Sequence, residues 1–203
     1  MATVLEKPET KVLQGALVIH LPKNRVWDDD TLLALSAENP ELRFEQTARG
    51  DLIVMAPAGT ETGDRDSEIN MQLRLWSKQN GLGKVFSSST GFRLPNGALR
   101  SPDASWVSFE NLSALTSEEY QKFAPLCPEF VIELMSASDS LKDAKEKMLE
   151  YVANGAELGW LIDPGEKCVY VYTAGGVETL ENPESVAGVG RLEGFVLDLK
   201  NMW

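Results

Sequence analysis

A carboxylate inside an apolar β-strand is the residue of this chain whose placement most needs a chemical reason. Glu133 sits in the run Phe130-Val131-Ile132-Glu133-Leu134, which reads as a central strand covered on both faces. Left unpaired there, it would take up a proton, and a bound cation is one way of keeping it charged. Upstream, Asp103 follows Ser101-Pro102 at the mouth of another strand. Two such groups on neighbouring strands would hold one hard cation. Magnesium, or manganese in its place, suits two carboxylates completed by water and a substrate phosphate. Zinc suits them poorly, because His20 is the only histidine and Cys127 and Cys168 are the only cysteines, far apart and without a CxxC.

The elements that must position these residues follow from local pattern. Asp28-Asp29-Asp30 before Thr31–Leu35 predicts a short helix with an acidic first turn, stopped at Asn39-Pro40. Leu42–Glu45 and Asp51–Met55 predict a hairpin. Ile69, Leu73 and Trp76 recur at helical spacing and predict a helix from Thr62 or Asp64 to Asn80, with Gly81 as its left-handed stop. Lys84–Ser87, Gly91–Leu94 and Ala104–Val107 read as strands, the second turning through Pro95-Asn96-Gly97 towards the third. Thr116 with Glu119 matches a capping box. A helix from Ser138 or Ser140 to Asn154 carries the stripe Leu141, Ala144, Met148, Tyr151 and Val152, and Leu158–Asp163 with Val169–Tyr172 predict a further hairpin. The tail carries a weaker strand near Val177–Leu180 and the apolar stretch Phe195-Val196-Leu197. The sum is an α/β fold, a mixed β-sheet flanked by α-helices in a single domain at 27–203. Residues 1–26 form a peripheral arm with one strand at Ala16–Ile19.

With 203 residues, 43% of them hydrophobic and 25% charged, the chain has the means to bury one core. Its net charge of −12 repels polyanions at long range, which argues against a general nucleic-acid coat protein. A local basic groove or a bound metal overrides that at short range. No apolar stretch approaches a membrane span and nothing marks export, so a cytoplasmic protein is expected.

Pro102-Asp103, Phe130–Leu134, Lys147-Met148-Leu149-Glu150-Tyr151, Gly155 and Gly159-Trp160-Leu161-Ile162-Asp163-Pro164 resemble, in order and spacing, the Uma-two family of restriction-endonuclease-like proteins within the PD-(D/E)xK superfamily. The likeness runs from about Glu45 to the C-terminus. It implies a restriction endonuclease-like core with Asp103 and Glu133 as metal ligands, Glu68 on the preceding helix as a third acidic group, and a lysine beside the metal. The usual superfamily lysine lies two residues after the glutamate, where this chain has Met135; in the Uma-two pattern Lys147 on the next helix takes its place. The implied activity is magnesium-dependent hydrolysis of DNA by a homodimer.

Each residue also has a plainer reading. Asp103 after a proline is a common turn former. Glu133 would equally suit a buried salt bridge to Lys145 or Lys147, which at about 100° per residue lie on opposite flanks of their helix. Glu68 is an ordinary solvated helix residue when judged alone, and Glu45 on an early strand has the same standing. Arg93 and Arg100 are candidate phosphate contacts. Two further functions stay open: a catalytically silent binding or assembly module, which Met135 favours, and hydrolysis of another phosphate-containing substrate.

Overall fold

Strand alternation and helical stripes set the elements, and strand register sets which of their residues meet. The computed structural model describes residues 11–13, 16–20 and 27–203. In chain order, β1 (Lys11–Leu13), β2 (Ala16–Ile19), α1 (Asp29–Glu38), β3 (Arg43–Gln46) and β4 (Leu52–Met55) precede the long helix α2 (Thr60–Asn80). Next come β5 (Gly83–Ser87), β6 (Phe92–Arg93), β7 (Leu99–Arg100), β8 (Ala104–Ser108), α3 (Phe109–Ser113) and α4 (Ser117–Gln121). The remainder is β9 (Phe130–Leu134), α5 (Leu141–Ala153), β10 (Leu158–Asp163), β11 (Cys168–Thr173), β12 (Gly176–Glu181), β13 (Ser185–Ala187) and β14 (Val196–Asp198).

These strands form two six-stranded sheets and a small two-stranded one. The first sheet, in the order β1-β2-β4-β3-β7-β6, is antiparallel throughout. The second runs β12-β11-β10-β9-β8-β5 and is mixed: β9 and β10 are parallel, with α5 as their crossover, and the other pairs are antiparallel. Its two faces are covered by different helices. Ile69 and Leu73 of α2 pack with Trp106, Phe130, Ile132 and Trp160, while Met148 and Tyr151 of α5 pack with Val107, Val131 and Leu161. Side chains alternate along a strand, so Glu133 follows Val131 onto the α5 face.

The helix boundaries follow their signals. Asp28 accepts the amide of Thr31 at the start of α1, Thr116 and Glu119 close a capping box, and Gly81 ends α2 with φ +71°. α2 begins at Thr60, earlier than Thr62 or Asp64. The turn at Pro95-Asn96-Gly97 differs more. It folds β6 back onto β7, a strand too short to show a period, and both belong to the first sheet. Ala104 to Ser108 instead pairs with β5 and β9 in the second. The chain therefore crosses between sheets at Ser101-Pro102, and Asp103 stands at the seam. Of the expected peripheral arm, Ala16–Ile19 pairs with β4 and Lys11–Leu13 pairs in turn with Ala16–Ile19, while 1–10, 14–15 and 21–26 lie outside the described residues.

Leu73 is fully buried and Leu75, two residues on, is 54% exposed, which fixes the orientation of α2. Leu73→Ala is expected to lower stability by about 2–5 kcal/mol and Leu75→Ala by less than about 0.5 kcal/mol, read from urea unfolding. Equal losses would contradict this packing.

Candidate active site

The register that pairs Ala104 with Ile132 places Asp103 opposite Glu133 one step further on. Residues so opposed have Cβ atoms about 4.5–5.5 Å apart. Asp103 is fixed by the chain around it: one carboxylate oxygen accepts the amide of Leu134 at 2.8 Å, and its carbonyl accepts Asn70 Nδ2 at 3.0 Å. Its other oxygen faces Arg43 Nη1 at 3.6 Å. Side-chain exposure is 18% for Asp103, 12% for Glu133 and 20% for Lys147, so each is largely but not fully buried.

Lys147 lies on the turn of α5 that faces β9. Its Nζ is 2.8 Å from Glu133 Oε1 and 2.9 Å from Glu45 Oε1. The same Glu133 oxygen accepts the Tyr151 hydroxyl at 2.9 Å. Glu45, on β3, is almost wholly buried, and it also accepts the Ser101 amide at 3.0 Å and Arg100 Nη1 at 3.0 Å. Arg100 Nε in turn donates to Glu150 Oε2 at 2.6 Å. The seam between the two sheets is thus closed by a chain of charge-assisted hydrogen bonds running Glu150, Arg100, Glu45, Lys147, Glu133.

One lysine between two carboxylates cannot fully compensate both. Burial pushes Glu45 up, but Lys147 and Arg100 outweigh it and hold its carboxyl at about 2. Among the described residues, Glu133 has no second cation. Burial, helped by Asp103 and Glu45, pushes it up to about 7 against the pull of Lys147. Burial likewise pushes Asp103 up, opposed by Lys147, the Leu134 amide and Arg43. Asp66 on α2 is pushed up to about 6 by burial and by the charge of Asp103. Burial works against the Lys147 ammonium, yet Glu133 and Glu45 more than offset it and raise its pKa. Lys147 is therefore a fixed positive charge and not a base at neutral pH.

The remaining residues singled out from the sequence fall elsewhere. Glu68 accepts Gln72 Nε2 at 2.8 Å, and Gln72 reaches the Asp198 carbonyl on β14, away from the seam. Asp66 is the acid of α2 that lies beside Asp103. The stripe Ile69, Leu73, Trp76 continued back by one turn falls on Asp66, whereas Glu68 is off it, so the periodicity already separated the two. Arg93 is tied to Asp29, Gln46 and the Gly97 carbonyl, and Arg100 is tied to Glu45 and Glu150, so neither faces a substrate. Lys145 lies over the Tyr170 ring at 4.0 Å and leaves Glu133 to Lys147. Met135 is buried in the α5-side core.

A family model named Uma2 and described as "Putative restriction endonuclease" matches residues 29–200. The chain belongs to the Uma2 family. Its fold is similar to that of a "putative nuclease belonging to DUF820" from Anabaena variabilis, known from a crystal structure, with a TM-score of 0.65 and 20% identity over 78% of this chain and 88% of that chain. No curated protein matches the chain. The Uma2 chain thus has the restriction endonuclease-like α/β fold expected from its motifs.

Glu45→Gln removes one of the two anions that share Lys147. Its expected cost is about 3–5 kcal/mol of stability, as for breaking a buried pair. The loss of a negative neighbour also stabilises ionised Glu133, so the Glu133 carboxyl, followed by ¹³C NMR, should titrate below its wild-type midpoint near 7. An unchanged midpoint would show that Glu45 and Glu133 do not compete for Lys147.

Proposed function

We propose that this chain is a magnesium- or manganese-dependent endonuclease that hydrolyses DNA phosphodiester bonds. The observation that carries this reading is the cross-strand opposition of Asp103 and Glu133 with Lys147 held against Glu133. Among the described residues no three His, Cys, Asp or Glu side chains stand ready to hold a metal by themselves. Two carboxylates completed by waters and a substrate phosphate are nevertheless a donor set that magnesium accepts. The charge balance fits as well. Among the described residues, Glu45, Asp66, Asp103, Glu133 and Glu150 face only Arg43, Arg100 and Lys147, which leaves two negative charges in excess when all are ionised. A divalent cation would cancel that excess and relieve the upward push on Asp103 and Glu133.

Asp103 and Glu133 would hold the cation, and the Leu134 amide keeps the Asp103 carboxylate turned towards its partner. When bound, the metal supplies Lewis acidity to the scissile phosphate and lowers the pKa of its water. Lys147, permanently charged and anchored by Glu45, stabilises the negative charge that develops on the phosphate oxygens. Tyr151 stays protonated and orients Glu133. One such site cuts one strand, so cleavage of a duplex fits a homodimer. No helix among the described residues is long and apolar enough to cross a membrane.

With duplex DNA and magnesium or manganese, the purified protein is expected to cut. Asp103→Asn and Glu133→Gln should abolish cutting, Lys147→Ala should slow it by about 10²–10³-fold, and Glu68→Ala should leave it within a few-fold of wild type. Undiminished cutting by Asp103→Asn would overturn the proposal. A folded wild type inert with every divalent metal would assign the chain to the silent binding module that Met135 suggests.

A further inference from the structure

At the far end of the β5–β8 pair from Asp103, the edge strand β5 borders a surface groove of about 590 Å³. It is lined by Arg74, Lys78, Lys84, Phe86, Phe109 and Tyr120, with backbone from the turn at Gly81 and Gly83 and with no carboxylate. An adjoining hollow of about 360 Å³ shares Lys84, Phe109 and Tyr120. In a protein of net charge −12 this concentration of cations is unusual. It is also uncompensated. Among the residues whose side chains are described, the arginines and lysines that pair with no described carboxylate are Arg74, Lys78, Lys84, Lys145 and Lys167, and the first three share this one groove.

Two observations narrow what the groove can take. The edge of β5 does not offer itself to an added strand, because the outward carbonyls of Gly83 and Val85 are already capped by Ser77 Oγ at 3.1 Å and Arg74 Nη2 at 2.9 Å. That disfavours an acidic peptide docking in β-fashion. The aromatic rings, by contrast, are half exposed: Phe109 and Tyr120 are each 46% exposed, and Lys84 Nζ holds the Tyr120 hydroxyl at 2.9 Å while lying over one side of its ring at 5.1 Å. Unpaired cations interleaved with exposed rings form the surface on which single-stranded nucleic acid is held, phosphates on the cations and bases on the rings.

The groove and the candidate active site are built on the same helix and the same strand pair. Asp66, Asn70 and Arg74 follow one another at four-residue intervals along α2; Asp66 and Asn70 meet Asp103, and Arg74 meets Val85. Asp66 and Arg74 are about 12 Å apart along the helix, at 1.5 Å per residue. On the sheet, Lys84 pairs with Val107, four residues or about 13 Å along β8 from Asp103. One short oligonucleotide would span both.

We propose that the β5-edge groove holds a single DNA strand flanking the scissile bond, its phosphates on Arg74, Lys78 and Lys84 and its bases against Phe109 and Tyr120. This rests on the nuclease reading of the Asp103–Glu133 centre and adds that a segment of the DNA beside the scissile bond is held as a single strand.

The test measures binding of a fluorescein-labelled single-stranded oligonucleotide by fluorescence anisotropy, with every variant built on Asp103→Asn so that nothing is cut. Lys78→Glu with Lys84→Glu, both at exposed positions, should weaken binding at least tenfold and lower the slope of log affinity on log salt by about 1.4, at 0.7 per phosphate contact. Tyr120→Ala should weaken it between about fivefold and a hundredfold. Lys142→Glu with Lys200→Glu, cations outside the groove, should change neither quantity comparably. If the Lys78 and Lys84 variant binds like its parent while wild type cuts DNA in an Asp103-dependent way, the groove inference falls and the nuclease reading stands. If wild type cuts nothing but the charge reversals still abolish binding, the nuclease reading falls and the groove stands as a single-strand site. Loss of polyglutamate binding with DNA binding unchanged would assign the groove to an acidic protein and overturn the inference.

Discussion

A single ammonium group, Lys147, shared between two buried carboxylates from different sheets, is the constraint around which this molecule is organised. Glu45 arrives from the first sheet and Glu133 from the second, and the lysine from α5 touches both within 2.9 Å. Because Arg100 also serves Glu45, the two acids are not equivalent. Glu45 is an anchor, ionised throughout the ordinary pH range, while Glu133 is left undercompensated and pushed up to about 7. Under the proposed function, undercompensation beside Asp103 would favour a bound cation, and the charged Lys147 would suit a developing negative charge. Anchor and reactive group are thus separated by how many cations each receives.

The topology serves that arrangement. Ser101-Pro102 is the point where the chain leaves the first sheet for the second, and the Ser101 amide is itself bound by Glu45. Asp103, the next residue, is delivered to the seam, where one of its carboxylate oxygens accepts the Leu134 amide. α2 adds Asn70 and Asp66 from one side, and α5 adds Lys147 and Tyr151 from the other. Linkage gives the pH consequence a sign. Glu133 and Asp66 bind protons more tightly folded than unfolded, so without metal they favour the folded state at lower pH and that advantage is lost as pH rises towards 7. Glu45 acts oppositely, and its contribution fades only as pH falls towards 2.

What could be read from the sequence was whatever a local period carries. The stripe of α5, the apolar run of β9, the capping box at Thr116 and the Gly81 stop all express themselves within a few residues. The pairing of Asp103 with Glu133 on adjacent strands was reachable because their strands and the order of their motifs were. The division into two sheets was not, since β7 is only two residues long and shows no alternation. Glu45 was seen as one acidic residue among several because its partner Lys147 is 102 positions away, a separation on which composition and spacing are silent. Glu68 enters as the acid of α2 only through the family resemblance, whereas the buried stripe of Ile69, Leu73 and Trp76 points to Asp66. The choice between Lys145 and Lys147 needed coordinates, since it turns on Tyr170 of β11 drawing Lys145 aside.

The proposed function requires that Asp103 and Glu133 grip the same ion. Anomalous diffraction at the manganese edge, from crystals of the wild-type chain soaked in manganese, addresses this without reference to any activity. The prediction is one strong peak between the two carboxylates, about 2.0–2.2 Å from an oxygen of each, with Lys147 still in contact with Glu45. A well-ordered crystal saturated with manganese and showing no peak there, or a peak on other residues alone, would contradict it.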